Sequence, residues 1–102
     1  MQEVNEMILN QLLKDQKSFA LFVYTPMCGT CKLAERMLNV TSEALPTVSI
    51  YQLNINTAHA FVEHCQVTSV PALLLFEKGE LVAQHYAIQS VAFLYDVLKP
   101  FV

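Results

Sequence analysis

Residues 19–31 of the chain read FALFVYTPMCGTC. The first six, Phe19–Tyr24, form a nearly unbroken apolar run, which is typical of a β-strand buried on both faces. The pair Thr25-Pro26 ends this run, because a residue that precedes proline is disfavoured in helical conformation. Apolar residues at helical spacing then begin at Cys28 and continue to about residue 39. The stretch therefore predicts a buried strand that leads directly into a helix, with two cysteines at the start of that helix.

Helical and strand patterns alternate along the rest of the chain. A first helix is predicted before residues 19–31 by apolar residues at helical spacing. These residues are Val4, Met7, Ile8 and Leu12, with Leu9 and Leu13 beside them. The patterns after it predict a strand over 48–54, a short helix capped by Thr57, a strand over 72–76, a hairpin turn at 77–80, a strand over 81–86 and a last helix capped by Ser90. The order α-β-α-β-α-β-β-α predicts an α/β fold with a mixed four-stranded sheet flanked by helices.

Composition excludes several classes of protein. The chain has 102 residues, of which 54% are apolar and 15% charged, with a net charge of −3. Such a chain is too apolar to be disordered, and it lacks the basic excess of a nucleic-acid-binding protein. Neither an apolar run long enough to span a membrane nor a signal peptide is apparent, and an odd number of cysteines, three, fits a reducing compartment. We expect one domain over residues 1–102, in the cytoplasm, with no membrane or nucleic-acid partner.

The motif Cys28-Gly29-Thr30-Cys31 carries the chemistry. The first turn of a helix has unpaired N–H groups and the positive end of the helix dipole, so a thiolate there is stabilised. The offset of three residues brings the second sulfur over the same turn, and Gly29 allows the backbone of a partner to approach. We expect Cys28 to attack a disulfide and Cys31 to resolve the mixed disulfide that forms.

A zinc site is the structural alternative for these cysteines. Structural zinc usually takes four ligands, often from two Cys-x-x-Cys pairs. This chain has one such pair and a lone Cys65, with His59 and His64 as the remaining candidates. We therefore expect no metal, and we expect Cys65 to be a buried, inert core residue.

Several segments together resemble the thioredoxin family over nearly the whole chain. They are the strand and dithiol at 19–32, the strand end Leu53-Asn54-Ile55-Asn56, the segment at 68–76 that contains Val70-Pro71, and the hairpin at 77–81. The resemblance implies the thioredoxin-like fold without the family's short N-terminal strand. It also implies that Pro71 is a cis-proline that faces the dithiol.

The chain departs from the family's usual pattern around the dithiol. Met27 replaces a tryptophan and Thr30 replaces a proline, while the family's buried acid falls at Phe22 and its lysine at Gln52. The glycine near the substrate groove falls at Ala87. Without a buried base we expect slower resolution.

The threonine within the motif has a further consequence. Thr30 has a backbone N–H that proline lacks and adds a hydroxyl, and both groups are able to donate to the Cys28 thiolate. Because stabilising the reduced form makes a dithiol more oxidising, we expect a reduction potential above that of ordinary thioredoxin.

These features favour a small thiol–disulfide oxidoreductase that acts as a monomer on disulfide-containing proteins or small thiol conjugates. Substrates would dock on Met27, Gly29, Thr30, Val70 and Pro71, partly through backbone pairing. Electrons would come from a thioredoxin-reductase-like enzyme or a low-molecular-weight thiol. No glycine-rich dinucleotide motif is present, so we expect no bound cofactor. The alternatives are a glutaredoxin-like or bacilliredoxin-like action on mixed disulfides with a small thiol, and a non-catalytic binding module.

Overall fold

A computed structural model describes residues 1–86 and 88–102 of the chain. Within them a mixed sheet is flanked by helices, as the sequence predicts. The strands are β1 (Gln2–Glu3), β2 (Phe19–Tyr24), β3 (Ile50–Asn54), β4 (Ala72–Glu77) and β5 (Glu80–His85). The helices are α1 (Glu6–Lys14), α2 (Gly29–Ala44), α3 (His59–His64) and α4 (Val91–Leu98), with 3₁₀ turns at Ile55–Thr57 and Lys99–Phe101.

The sheet has the strand order β1-β3-β2-β4-β5. Strands β1 and β2 pair with β3 in parallel, whereas β4 pairs with β2 and with β5 in antiparallel fashion. The prediction of four strands and no N-terminal strand is wrong, because β1 adds a fifth. Its two residues have exposed side chains, and backbone pairing with β3 holds it: Glu3 lies opposite Gln52, and the N–H of Val4 donates to the carbonyl of Gln52 at 2.9 Å.

The central strand β2 separates two layers of core. Its residues alternate between the two faces of the sheet, as side chains of a strand must. Phe19, Leu21 and Val23 pack with α1 and α3, and Ala20 and Phe22 pack with α2 and α4. All five are buried, which confirms the prediction of a strand covered on both faces.

Helix α1 buries only part of the predicted apolar face. Met7 is 75% exposed and Ile8 is also exposed, whereas Leu9 is fully buried and Leu12 and Leu13 are partly buried. The side chain of the preceding Asn5 caps the helix by accepting from the N–H of Ile8 at 2.8 Å. The prediction is therefore wrong for Met7 and Ile8 and confirmed for Leu9, Leu12 and Leu13, and Val4 is buried ahead of the helix.

Three predicted boundaries also differ. The expected cap residue Thr57 lies in a 3₁₀ turn and donates its hydroxyl to the carbonyl of Asn54 at 2.8 Å. Helix α3 consequently begins later and has no side-chain cap. Strand β3 begins at Ile50 rather than at residue 48, and α2 continues to Ala44. The cap at Ser90 is confirmed, since its hydroxyl oxygen accepts from the N–H of Phe93 at 3.1 Å.

The β4–β5 hairpin is attached to the end of α1. Lys78 and Gly79 form its turn with positive φ angles of 52° and 83°. The N–H of Gly79 donates to the carbonyl of Lys17 at 2.9 Å, and a Cβ on this glycine would lie 2.7 Å from the carbonyl oxygen of Leu13. Further along β5, the pairing register skips Val82, which forms a bulge in this outer strand. Among the described residues, no helix is long and apolar enough to cross a membrane.

Candidate active site

The two cysteines lie where β2 ends and α2 begins. Cys28 is the N-cap residue of α2, and Cys31 lies in its first turn. The neighbouring strand β4 starts at the same edge of the sheet, since Ala72 is paired with Val23. The peptide bond before Pro71 is cis, as the resemblance implies. The cis-proline and the dithiol therefore share one edge of the sheet.

Cys28 is held as a hydrogen-bond acceptor. Its Sγ atom accepts from the backbone N–H of Cys31 at 3.1 Å and lies 3.2 Å from the Oγ1 atom of Thr30. These contacts favour the thiolate, so hydrogen bonding, first from the Cys31 side chain and then from the Thr30 hydroxyl, lowers the pKa of Cys28. The hydroxyl of Thr30 thus lies where the sequence predicts a donor to this sulfur.

Cys31 has the opposite character. Its side chain is only 3% exposed. Burial, followed by the hydrogen bond with Cys28 and the charge of that thiolate, raises the pKa of Cys31 to about 11, although a backbone hydrogen bond from Thr25 opposes the shift. The site thus holds an accessible sulfur that favours the thiolate beside a buried sulfur that favours the thiol.

The predicted docking residues lie on the two segments that bring the dithiol and the cis-proline to one edge of the sheet. Met27 is 96% exposed, and Gly29 and Thr30 are exposed as well. Val70 and Pro71 are partly buried, and Val70 packs against the same core cluster as Cys28. Gly29 has open space where a Cβ would lie, with no atom within 4 Å.

Phe22 and Gln52, which occupy the positions of the family's acid and lysine, bring no charge to the site. Phe22 is fully buried and its ring is stacked on that of Tyr24, with 5.8 Å between centroids. Gln52 donates from Nε2 to the Oε1 atom of Glu3 at 2.7 Å, and the hydroxyl of Tyr24 donates to the same oxygen at 2.7 Å. Burial and then this hydrogen bond raise the pKa of Tyr24 to about 12. Ala87, the remaining departure, lies outside the described residues.

The Glu3–Gln52–Tyr24 cluster is absent from the sequence prediction. Glu3 belongs to β1, and no pattern of apolar residues in the sequence predicts this strand. Its contact with residues in β2 and β3 depends on pairing across the sheet. A sequence-only prediction of this cluster would require the N-terminal strand to be known first.

Cys65 is less buried than predicted. It follows α3 as its C-cap residue and is partly buried against the core. Burial raises the pKa of its thiol, which agrees with an unreactive side chain. Within residues 1–86 and 88–102, no three His, Cys, Asp or Glu side chains are grouped so that they would hold a metal ion.

The chain is similar in sequence and in fold to thioredoxins and thioredoxin-like proteins. The sequence model described as Thioredoxin matches residues 1–99. A thioredoxin-like protein of Bacillus subtilis, YusE, is 43% identical over 99 residues, which cover 97% of this chain and 92% of that protein. Two solved structures share the fold. A mutant thioredoxin from Halobacterium salinarum has a TM-score of 0.85 at 22% identity, and the match covers 98% of this chain and 88% of that one. Mitochondrial thioredoxin 3 from Saccharomyces cerevisiae has a TM-score of 0.84 at 21% identity, over 98% of this chain and 94% of its own. The chain therefore belongs to the thioredoxin family.

Proposed function

We propose that this chain is a dithiol–disulfide oxidoreductase that reduces disulfides in proteins or in small thiol conjugates. Membership of the thioredoxin family supports thiol–disulfide chemistry in general. The observation that carries the proposal is the asymmetry of the two sulfurs. Hydrogen bonds lower the pKa of Cys28, whereas burial raises the pKa of Cys31 to about 11. One sulfur is thus prepared to attack, and the other is protected until the first has reacted.

The reaction has two exchange steps. The Cys28 thiolate attacks one sulfur of the substrate disulfide, so that a Cys28–substrate disulfide forms and the first substrate thiolate leaves and takes up a proton. Cys31 then loses its proton, and its sulfur attacks Cys28 Sγ. The Cys28–Cys31 disulfide forms, and the second substrate thiol leaves. The protein loses two electrons, and the substrate disulfide gains them.

The proton of Cys31 leaves without help from a buried carboxylate. Phe22 occupies the position of the family's acid, and its ring is unable to accept a proton. Formation of the mixed disulfide removes the charge of Cys28, which is one of the causes that keep the Cys31 pKa high. The proton of Cys31 then passes to water or to the departing substrate thiolate.

The proposed docking surface consists of Met27, Gly29, Thr30, Val70 and Pro71. Its exposed methionine is flexible and apolar, which suits varied partners. An extended substrate segment beside Val70 and Pro71 would add backbone hydrogen bonds that do not depend on sequence. We propose that the protein acts as a cytoplasmic monomer formed by one domain, without a bound cofactor.

The reductant that converts the Cys28–Cys31 disulfide back to the dithiol comes from outside the chain. We propose either a thioredoxin-reductase-like enzyme or a low-molecular-weight thiol. The Thr30 contact stabilises the reduced form, so we expect a reduction potential above the value of about −270 mV that is typical of thioredoxin. Equilibration with glutathione buffers measures it, and a value at or below that of thioredoxin rejects this part of the proposal.

A trapping experiment tests the function directly. The Cys31→Ser variant lacks the resolving sulfur, so it should accumulate a Cys28 mixed disulfide that dithiothreitol releases. Cys65→Ser is the matched control, because it removes a partly buried thiol outside the motif and should trap nothing. The identity of the released molecule shows whether the substrate is a protein or a small thiol. A small thiol would indicate glutaredoxin-like or bacilliredoxin-like action. If Cys31→Ser accumulates no mixed disulfide and partners bind Cys28→Ser with unchanged affinity, the chain is a binding module.

A further inference from the structure

Two side chains of the outer strand hold the segment that precedes Pro71. Gln84 lies in β5, and Tyr86 follows it. The Tyr86 hydroxyl donates to Oε1 of Gln84 at 2.6 Å and accepts from the backbone N–H of Thr68 at 3.3 Å. Nε2 of Gln84 donates to the carbonyl of Cys65 at 2.7 Å. The Gln84–Tyr86 pair thus joins β5 to the backbone on both sides of residue 66.

The segment reached by these bonds leads straight to the docking surface. After Thr68 only Ser69, Val70 and Pro71 remain before β4 begins at Ala72. That end is fixed, because Ala72 is paired with Val23 of the central strand. The other end turns through Gln66, which has a positive φ of 56°, and is anchored by the buried Val67. Three residues therefore span two fixed points. The first of these along the chain is held by the buried Val67, by backbone hydrogen bonds from residues 65–67 to α3 and by the Gln84–Tyr86 pair.

We infer that Gln84 and Tyr86 are positioning residues for substrate docking, which they serve by holding residues 65–68 in place. This inference rests on the proposed function. A segment that is already ordered loses less conformational entropy when an extended substrate pairs with it. Removing the bonds should therefore weaken docking, while the sulfur chemistry at Cys28 and Cys31, which these bonds do not reach, should continue unchanged.

The Tyr86→Phe variant tests the inference because it removes one hydroxyl and keeps the ring that packs against the core. Reduced protein is mixed with two disulfides in single-turnover experiments, so that no external reductant is needed. One is a disulfide-linked dimer of a short extended peptide, and the other is the small aromatic disulfide dithiobis(nitrobenzoate). The loss of a net hydrogen bond corresponds to an increase of about three- to tenfold in the half-saturation concentration for the peptide. Its limiting rate, and the rate with the small disulfide, should stay within about twofold.

Three further variants make the comparison specific. Tyr95→Phe is the matched control, since it removes an exposed hydroxyl from α4 and should leave both reactions unchanged. Gln84→Met removes the bonds from the other side of the pair and should reproduce the effect of Tyr86→Phe. The double variant should raise the half-saturation concentration by less than the product of the single effects, because both changes break one network.

The outcomes separate the inference from the proposed function. If Tyr86→Phe and Gln84→Met leave the peptide half-saturation unchanged while the wild type reduces both disulfides, the inference is overturned and the function stands. If both variants slow the two reactions equally, the pair has a structural role only and the inference is again overturned. If the wild-type protein reduces neither disulfide, the proposed function and the inference that rests on it fail together.

Discussion

Alkylation of the reduced protein by iodoacetamide should distinguish the three cysteines sharply. The reagent reacts with thiolates, so its rate follows the ionised fraction and the exposure of each sulfur. Cys28 is partly exposed and has a lowered pKa, whereas Cys31 is 3% exposed and has a pKa of about 11. Cys65 is partly buried, and burial raises its pKa. We expect Cys28 to react first at pH 7.

The size of the difference follows from ionisation. A thiol with a pKa of about 11 is ionised to about one part in ten thousand at pH 7. An ordinary cysteine, with a pKa of about 8.5, is ionised to about 3% at the same pH. Ionisation alone therefore makes Cys31 about 300-fold less reactive than an ordinary thiol, before the restricted access of the reagent to its sulfur is considered. Cys28 should exceed the ordinary thiol because its own pKa is lowered.

Mass spectrometry of peptides from quenched time points measures the three rates. The Cys28→Ser variant serves as the control for the cause of the shift. It removes the charge beside Cys31 but leaves the burial, which is the largest cause, so Cys31 should remain slow. Labelling of Cys31 within about tenfold of Cys28 in the wild type would refute the assigned asymmetry. Fast labelling of Cys31 in the variant would show that burial is not the main cause of its raised pKa.

Three other predictions concern Thr30, Gly79 and Phe22, the first two with a control substitution. Thr30→Val removes the hydroxyl beside Cys28 Sγ, so the pH midpoint of Cys28 alkylation should rise, whereas Thr30→Ser should keep it. Gly79→Ala should lower the free energy of unfolding in urea by about 1–3 kcal/mol, because φ is positive there and the new Cβ meets a carbonyl oxygen at 2.7 Å. Gly29→Ala is the matched glycine control and should cost nothing, since open space surrounds it. Phe22→Ala should cost about 3–5 kcal/mol in the same assay, because it empties a fully buried ring position.

Each expectation has a contradicting result. An unchanged midpoint in Thr30→Val would show that the hydroxyl does not stabilise the thiolate. Equal unfolding free energies for Gly79→Ala and Gly29→Ala would remove the conformational argument for the hairpin turn. A loss below about 1 kcal/mol in Phe22→Ala would mean that the core closes over the missing ring.

Local patterns in the sequence predict the centre of the fold well. The strand, proline break and helix at 19–31 are neighbours in the chain, so their apolar spacing and turn residues suffice to place the dithiol at a helix start. The same holds for the cap at Ser90 and for the hairpin around Gly79. The cis bond before Pro71 is implied by the family resemblance and not by the residues alone.

The elements that the sequence patterns miss depend on contacts between distant residues or on competing local bonds. Strand β1 exists through pairing with β3, about fifty residues away, and its exposed side chains carry no signal of burial. Thr57 has the side chain of a helix cap, but its hydroxyl donates to Asn54 in a 3₁₀ turn. The apolar residues of α1 are so closely spaced that the pattern does not show which of them face the sheet: Leu9 packs there, whereas Met7 and Ile8 are exposed. The Gln84–Tyr86 pair is polar and lies near a loop, so no apolar pattern reveals it.

The bulge at Val82 affects what happens when many copies of this chain are concentrated. An outer strand offers a row of free N–H and C=O groups to which another chain can add, and this is a route to aggregation. In β5 the extra residue breaks the regular spacing of that row, and at the opposite edge β1 offers only two residues, one of them charged. A protein with 54% apolar residues thereby has two edges that are poor templates for sheet growth. We expect deletion of Val82, which would restore an even register, to lower solubility before it alters the dithiol.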